Sequence, residues 1–278
     1  MPKKPVSPKG GNLKKTKIID PKQLLAGASL ATTLLLSSGA QKITSIEDKP
    51  PELRAPLGLL SGKELKELLQ KLLQKNLPDS SRVLTKDEET NLEKTIYKTL
   101  GVKAVTELDG NRLNHQIGWM GLEQHLMRYP EDKSLAGRNF PQAGIAPGKG
   151  AWGYWASSRA KLASNDIEME KYYVAVQTLY LPDWKARLGE LRDWYKYRKV
   201  LIINPDNGAA VVAVIGDAGP AKWTGKVFGG SPQVMYDLGF YPKKHKGRTL
   251  LFFVDDKDNQ VPLGPVTRPL TAPKLKTA

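Results

Sequence analysis

The sequence predicts an α+β protein in which an N-terminal signal or anchor segment and a small helical domain precede a β-rich domain. Two helix starts carry capping boxes, at Ser61 with Glu64 and at Thr85 with Glu88. From residue 172 onward, short apolar and β-branched runs alternate with turn residues. The 25 Gly and 20 Pro among 278 residues also favour a turn-rich β fold over a helical bundle.

The amino-acid composition excludes several kinds of functional site. The chain has no Cys, which excludes disulfides, thiolate zinc sites, thiol catalysis and a lipid-modified N-terminal Cys. Its 3 His show no metal-ligand spacing. We therefore predict no cofactor and no metal, while a site built only from Asp and Glu stays open. The net charge of +15 suits nucleic acid, an anionic wall polymer or lipid headgroups, and charge alone does not choose among them.

The N-terminal region has the pattern of an export signal. Residues 24–40 carry no charge, follow a Lys-rich segment and end in Ser-Gly-Ala before Gln41. The apolar stretch 24–36 is short for a bilayer span. We predict that residues 1–40 are a signal peptide or, alternatively, an uncleaved membrane anchor. An exported chain without Cys is typical of bacteria, so the predicted location is extracytoplasmic, in a bacterial cell envelope.

A linker and a helical domain are predicted next. Residues 41–60 have the Pro and scattered charges of a linker. In the domain predicted over 61–132, the first helix ends at Pro78 and the second at Gly101. A third helix is predicted within 111–129. The first helix has an apolar face, suited to packing on the next helix or to a partner or membrane surface, formed by Leu65, Leu68, Leu69, Leu72 and Leu73.

The β-rich domain is predicted over 145–257, after a Gly- and Pro-rich connection. Residues 199–203 and 209–215 are apolar runs joined by a turn ending in Asn207-Gly208, which predicts a hairpin. Further strands are expected within 172–181 and 249–254. The Pro- and Lys-rich segment 258–278 is predicted to be disordered.

Residues 200–239 resemble the rare lipoprotein A family. The shared features are the turn Asn204 to Gly208, the block Asp217-Ala218-Gly219-Pro220, Gly225, and a short helix from Val234 to Gly239. The resemblance implies a six-stranded double-psi β-barrel, related to expansins, barwin-like domains and the barrel of lytic transglycosylase A. It also implies a groove that holds a polysaccharide, in which Asp217 is the catalytic acid.

Asp217 has a position that suits this role. A carboxyl group that protonates a glycosidic oxygen needs a pKa raised by apolar surroundings. Asp217 follows an apolar strand, and Gly216 and Gly219 leave room for a ligand. The alternative is a turn Asp that accepts hydrogen bonds from local backbone N–H groups.

Other family positions differ. The family pairs its aspartate with an upstream glutamate, for which Glu168 and Glu170 are the candidates, and with a histidine. The histidine position holds Val176 or Gln177 here. A non-catalytic wall-binding module is therefore a competing hypothesis.

Aromatic residues provide candidate sugar platforms, because Trp and Tyr rings stack on the C–H faces of sugars. Trp223 follows the Asp217 turn, and Tyr154 and Trp155 precede the predicted barrel. With Gly219 they form the predicted substrate-binding set, although some of these aromatics could belong to the core.

The sequence leaves three candidate functions. The first is a lytic transglycosylase that acts on peptidoglycan. The second is a module that binds peptidoglycan or another cell-wall polysaccharide, with membrane anchoring through residues 24–40 as an addition. The third, binding of nucleic acid through the basic and aromatic residues 192–199, conflicts with export, and we predict no nucleic-acid partner.

Overall fold

The computed structural model of the protein describes residues 60–270. The predicted signal or anchor segment and all but the last residue of the predicted linker lie outside this range. The helices are α1 (Gly62–Gln74), α2 (Lys86–Leu100), α3 (Ser164–Lys171), α4 (Leu188–Tyr195) and α5 (Pro232–Asp237). The strands are β1 (Ala104–Val105), β2 (Glu107–Leu108), β3 (Asn111–Arg112), β4 (Ile117–Leu122), β5 (Tyr173–Val176), β6 (Lys199–Ile203), β7 (Ala210–Ala218), β8 (Phe228–Gly230), β9 (Lys246–Val254) and β10 (Gly264–Pro265).

Six of these strands close into a barrel. Around the barrel the order is β4, β9, β6, β7, β5 and β8, and β8 pairs back to β4. The β4–β8 and β5–β7 pairs are parallel, and the other four are antiparallel. Closure pairs the strand edges that an open sheet would expose. The predicted α+β class and six-stranded barrel are confirmed.

Alternating side chains divide the apolar core between the two faces of the barrel. The inner cluster contains a residue from every barrel strand, among them Met120, Val174, Val200, Ile215, Phe228 and Phe253. The outer cluster joins Leu201, Ile203 and Val212 to the apolar faces of α1 and α2. Consecutive residues of a strand therefore pack into different clusters, because their side chains point alternately to the two faces of the sheet.

The two predicted capping boxes are present, because the Ser61 and Thr85 side chains accept from the N–H of Glu64 and Glu88. The hairpin prediction is also confirmed, since β6 and β7 pair antiparallel around the turn at Gly208. Gly208 has a φ of 69°, and a Cβ there would lie 1.9 Å from the Lys66 carbonyl oxygen of α1. Only glycine fits this turn beneath the helix.

Two predictions of local structure are wrong. The segment 111–129 forms β3 and β4 in place of a third helix, because Gly118 and Gly121 are poor helix formers and the strand gains pairing on both edges. Part of the predicted helical segment thus belongs to the barrel. Residues 258–270, expected to be disordered, include β10, which pairs with β7. Within the described range no helix has the length and apolar character needed to cross a bilayer.

Candidate functional site

Asp217 lies near the end of β7, where the pairing with β5 shifts by one residue. Its Oδ1 accepts hydrogen bonds from the backbone N–H of Ala151 at 2.7 Å and of Ala218 at 2.8 Å. Burial raises the pKa of Asp217, and these two hydrogen bonds oppose the shift. The carboxyl group is therefore partly desolvated yet held in place by the backbone.

A row of small residues leads from Asp217 across the outer face of the barrel. In register, Asp217 faces Ala175, Ala175 faces Gly229, and Gly229 faces Gly121. The neighbouring residues Met120, Val176 and Phe228 belong to the inner cluster, so this row faces outward. We call Gly121, Gly229 and Ala175 the groove floor. All three residues are buried, and the side chains of neighbouring residues lie over the two glycines.

Glu123 lies on this floor and was missed at the level of sequence. Its backbone N–H donates to the Gly230 carbonyl at 2.8 Å, directly after β4. Its carboxyl group covers Gly229, where an added Cβ would lie 2.2 Å from Oε1. The only signal for Glu123 is the register of β4 with β8, which the predicted helix concealed.

Glu123 and Asp217 interact electrostatically. Burial raises the pKa of Glu123, the nearby Lys226 ammonium lowers it, and the charge of Asp217 raises it again. Lys226 covers the remaining glycine of the floor, since a Cβ on Gly121 would lie 2.7 Å from its Nζ. Two carboxyl groups in one site resist double ionisation, which favours retention of a proton.

Glu170 and Glu168 do not join Asp217. Glu170 is buried, and its Oε1 lies 2.5 Å from an Arg138 guanidinium nitrogen and 3.1 Å from His125 Nδ1. Arg138 also binds Asp132 at 2.7 Å, so Glu170 belongs to a buried ionic network. Glu168 is half-buried, and its carboxylate lies 3.8 Å from the Lys171 ammonium. Among residues 60–270, Glu123 occupies the position beside Asp217 for which these glutamates were the sequence candidates.

The network and the groove meet at Tyr173. Its hydroxyl donates to the Gln124 carbonyl oxygen. Burial raises the pKa of this hydroxyl, and the charges of Glu123, Asp217 and Glu170 raise it further. Tyr173 therefore stays protonated and separates the buried network from the outer carboxyl pair.

The three aromatic residues predicted as sugar platforms differ in their exposure to solvent. Trp223 is 89% exposed in a short turn between β7 and β8, as expected for a surface platform. Trp155 is buried and stacks on Tyr197 with ring centroids 4.8 Å apart, which is the core position that the sequence left open for some of these aromatics. Tyr154 is half-buried, with no ring contact in the described part of the chain.

The two predicted glycines also differ. A Cβ on Gly219 would meet no atom within 4 Å, which agrees with open space at this turn. A Cβ on Gly216 would lie 2.8 Å from the Tyr173 Cβ and 2.9 Å from the Trp155 ring. The absence of a side chain at Gly216 therefore makes room for these core aromatics.

The arrangement suits acid–base chemistry at a partly buried site. It provides a carboxyl group with a raised pKa, a second carboxyl group beside an ammonium, and a floor of small residues beneath them. Residues 60–270 contain no group of three His, Asp or Glu side chains placed to hold a metal ion. No protein-family model matches the chain, and a search of curated proteins found no match.

Proposed function

We propose that the protein acts on the glycan strands of bacterial peptidoglycan, as a lytic transglycosylase in which Asp217 is both acid and base and Glu123 stabilises the charge that develops on the sugar. The observation that carries the proposal is the carboxyl pair on a floor of small residues. An extended sugar chain needs an open groove, and glycosidic cleavage needs a protonated carboxyl group near neutral pH.

The proposal includes a fold family and a location. A closed six-stranded barrel with two parallel strand pairs is compatible with a double-psi topology, and Asp217-Ala218-Gly219-Pro220 resembles the rare lipoprotein A motif. The export-like segment 24–40 supports a place in the cell envelope, where the substrate is found.

In the proposed reaction, Asp217 donates its proton to the glycosidic oxygen as the bond from that oxygen to the anomeric carbon breaks. The positive charge that develops on the sugar is stabilised by the Glu123 carboxylate, whose ionised form Lys226 favours. The sugar's own 6-hydroxyl then attacks the anomeric carbon. Its proton passes to the Asp217 carboxylate, which restores the acid and leaves a 1,6-anhydro sugar.

The enzyme test is digestion of purified glycan strands, with products read by mass spectrometry. We expect 1,6-anhydro ends with the wild-type protein, and losses of at least about a hundredfold in rate for Asp217→Asn and Glu123→Gln. Glu168→Gln is the matched control, because Glu168 is a half-buried glutamate that pairs with Lys171 and does not join Asp217. Absence of anhydro products from the wild type, where a known transglycosylase works, would overturn the enzymatic proposal.

A non-catalytic binding module is the second candidate. It is favoured by the two backbone hydrogen bonds of Asp217, which are those of a structural Asp, and by the exposure of Trp223. A module without catalysis would yield no anhydro products. It would still be retained by insoluble peptidoglycan after Asp217→Asn, with weaker retention after Trp223→Ala. Equal retention of Trp223→Ala would count against Trp223 as the platform.

A further inference from the structure

The groove floor continues beyond Gly121 to a lysine. On the side opposite to Asp217, Gly121 faces Lys246 of β9 in register. The row from Lys246 to Asp217 therefore crosses five of the six barrel strands, and four gaps of ~4.8 Å give a path of about 19 Å around the curved wall of the barrel. Groups at the Lys246 end would therefore contact a glycan strand away from the bond broken at Asp217.

An exposed indole stands beside this end of the row. Trp119 lies two residues before Gly121 on the outward side of β4 and is 44% exposed. The Lys246 ammonium is 4.9 Å from the centroid of its ring. The flexible lysine thus covers a ring face that an incoming sugar could stack on, and its ammonium would remain close to a substituent of that sugar.

The charge at this end is one-sided. Lys243, Lys244 and Lys246 are exposed on the segment that leads into β9, and Lys226 lies over Gly121. Among residues 60–270, none of these four ammonium groups forms a salt bridge. Glu123 covers Gly229 at the middle of the row, beside Lys226, and Asp217 lies at the far end from Lys246. An anionic group therefore gains attraction at one end only.

We propose that Trp119 and Lys246 form a specificity subsite for an acidic sugar, which stacks on the indole and places its carboxylate beside the lysine. The proposal rests on the proposed function and names a selectivity within it: glycans with carboxylates over neutral glycans of the same backbone. A single-stranded nucleic acid also combines rings with negative charge, and the experiment separates the two.

The test measures binding by titration calorimetry at low ionic strength, with Asp217→Asn as the parent so that no substrate is consumed. The probes are peptide-free glycan strands, whose muramic acid residues carry carboxylates, and chitohexaose, a neutral oligomer of N-acetylglucosamine. We expect the parent to bind the acidic strands more tightly. Lys246→Gln should reduce this preference about fivefold, and Lys246→Arg should retain it.

Trp119→Ala should weaken binding of both glycans about tenfold, and Trp119→Phe should restore most of it. Lys98→Gln and Tyr97→Ala on the remote face of α2 are the matched controls and should bind like the parent. Thermal unfolding of each variant separates lost binding from lost folding.

Equal affinity of the parent for the acidic and neutral glycans would overturn the subsite. So would tighter binding of a single-stranded oligonucleotide that is lost in the same variants. These results differ from failure of the proposed function, which is read from anhydro products and their dependence on Asp217. The binding data can therefore contradict the proposed subsite while the product analysis supports the proposed cleavage, and the reverse.

Discussion

Replacing Gly229 by alanine tests whether Glu123 depends on the groove floor. An added Cβ would lie 2.2 Å from Oε1, 2.5 Å from Cγ and 2.6 Å from Cδ of Glu123. These atoms belong to one flexible side chain, which is free to turn away. Gly229 is not among the glycines with positive φ, so the backbone accepts alanine.

The expected effects on stability and activity differ in size. Moving the Glu123 side chain out of its preferred rotamer lowers the free energy of unfolding by about 0.5–1.5 kcal/mol. Alanine in place of glycine raises it by about 0.4–1 kcal/mol, because alanine reduces the conformational entropy of the unfolded chain. The free energy of unfolding should therefore change by less than about 1 kcal/mol. A displaced carboxyl group should slow cleavage about a hundredfold, equivalent to about 2.7 kcal/mol of barrier.

The assay is the rate of anhydro-sugar formation, with urea unfolding as the stability measurement. Gly148→Ala is the matched control, since a Cβ there meets no atom within 4 Å. In a Glu123→Ala background, adding Gly229→Ala should change the rate by less than about twofold, because no carboxyl group is left to displace. An additional hundredfold loss in that background, or a stability loss of several kcal/mol, would refute the reasoning.

Two other predictions concern stability. Burial raises the pKa of Asp217 above its unfolded value, so its contribution to stability is lost as pH rises through the window between the two pKa values. Asp217→Asn keeps the Oδ1 acceptor but removes the charge, so this variant should have a higher melting temperature than the wild type at neutral pH. The difference should vanish below the pKa of Asp217 in the unfolded chain. A lower melting temperature of Asp217→Asn at neutral pH would contradict this prediction. Arg138→Met leaves the buried Glu170 without its arginine, while Asp132 keeps Arg128 at 2.8 Å. This change should cost about 3–5 kcal/mol in urea unfolding, against little change for the exposed Lys63→Met. A cost below about 1 kcal/mol would mean that the buried ionic network contributes little to the stability of the protein.

Local signals predicted the elements that depend on local physics. The capping boxes at Ser61 and Thr85 place α1 and α2, and the turn at Gly208 places the β6–β7 hairpin. These features involve residues a few positions apart, whose hydrogen bonds and backbone angles are set by the residues themselves.

The rest depends on pairing between distant segments. Gly118 and Gly121 weaken a helix, yet only the pairing of β4 with β8 and β9 shows that they belong to a strand. Glu123 reaches Asp217 across three strand pairs, a relation that no spacing along the chain reveals. Glu170 was near the expected sequence position, but its partners Arg138 and His125 draw it into the buried network.

Carboxyl-detected NMR titration of Glu123 is the most direct test that Glu123 and Asp217 share one groove. In the wild-type protein, burial and the charge of Asp217 raise the pKa of Glu123, while Lys226 lowers it. The pKa of Glu123 should therefore fall in Asp217→Asn and rise in Lys226→Met. A Glu123 pKa in the ordinary range of an exposed glutamate, unchanged by either substitution, would contradict the shared site.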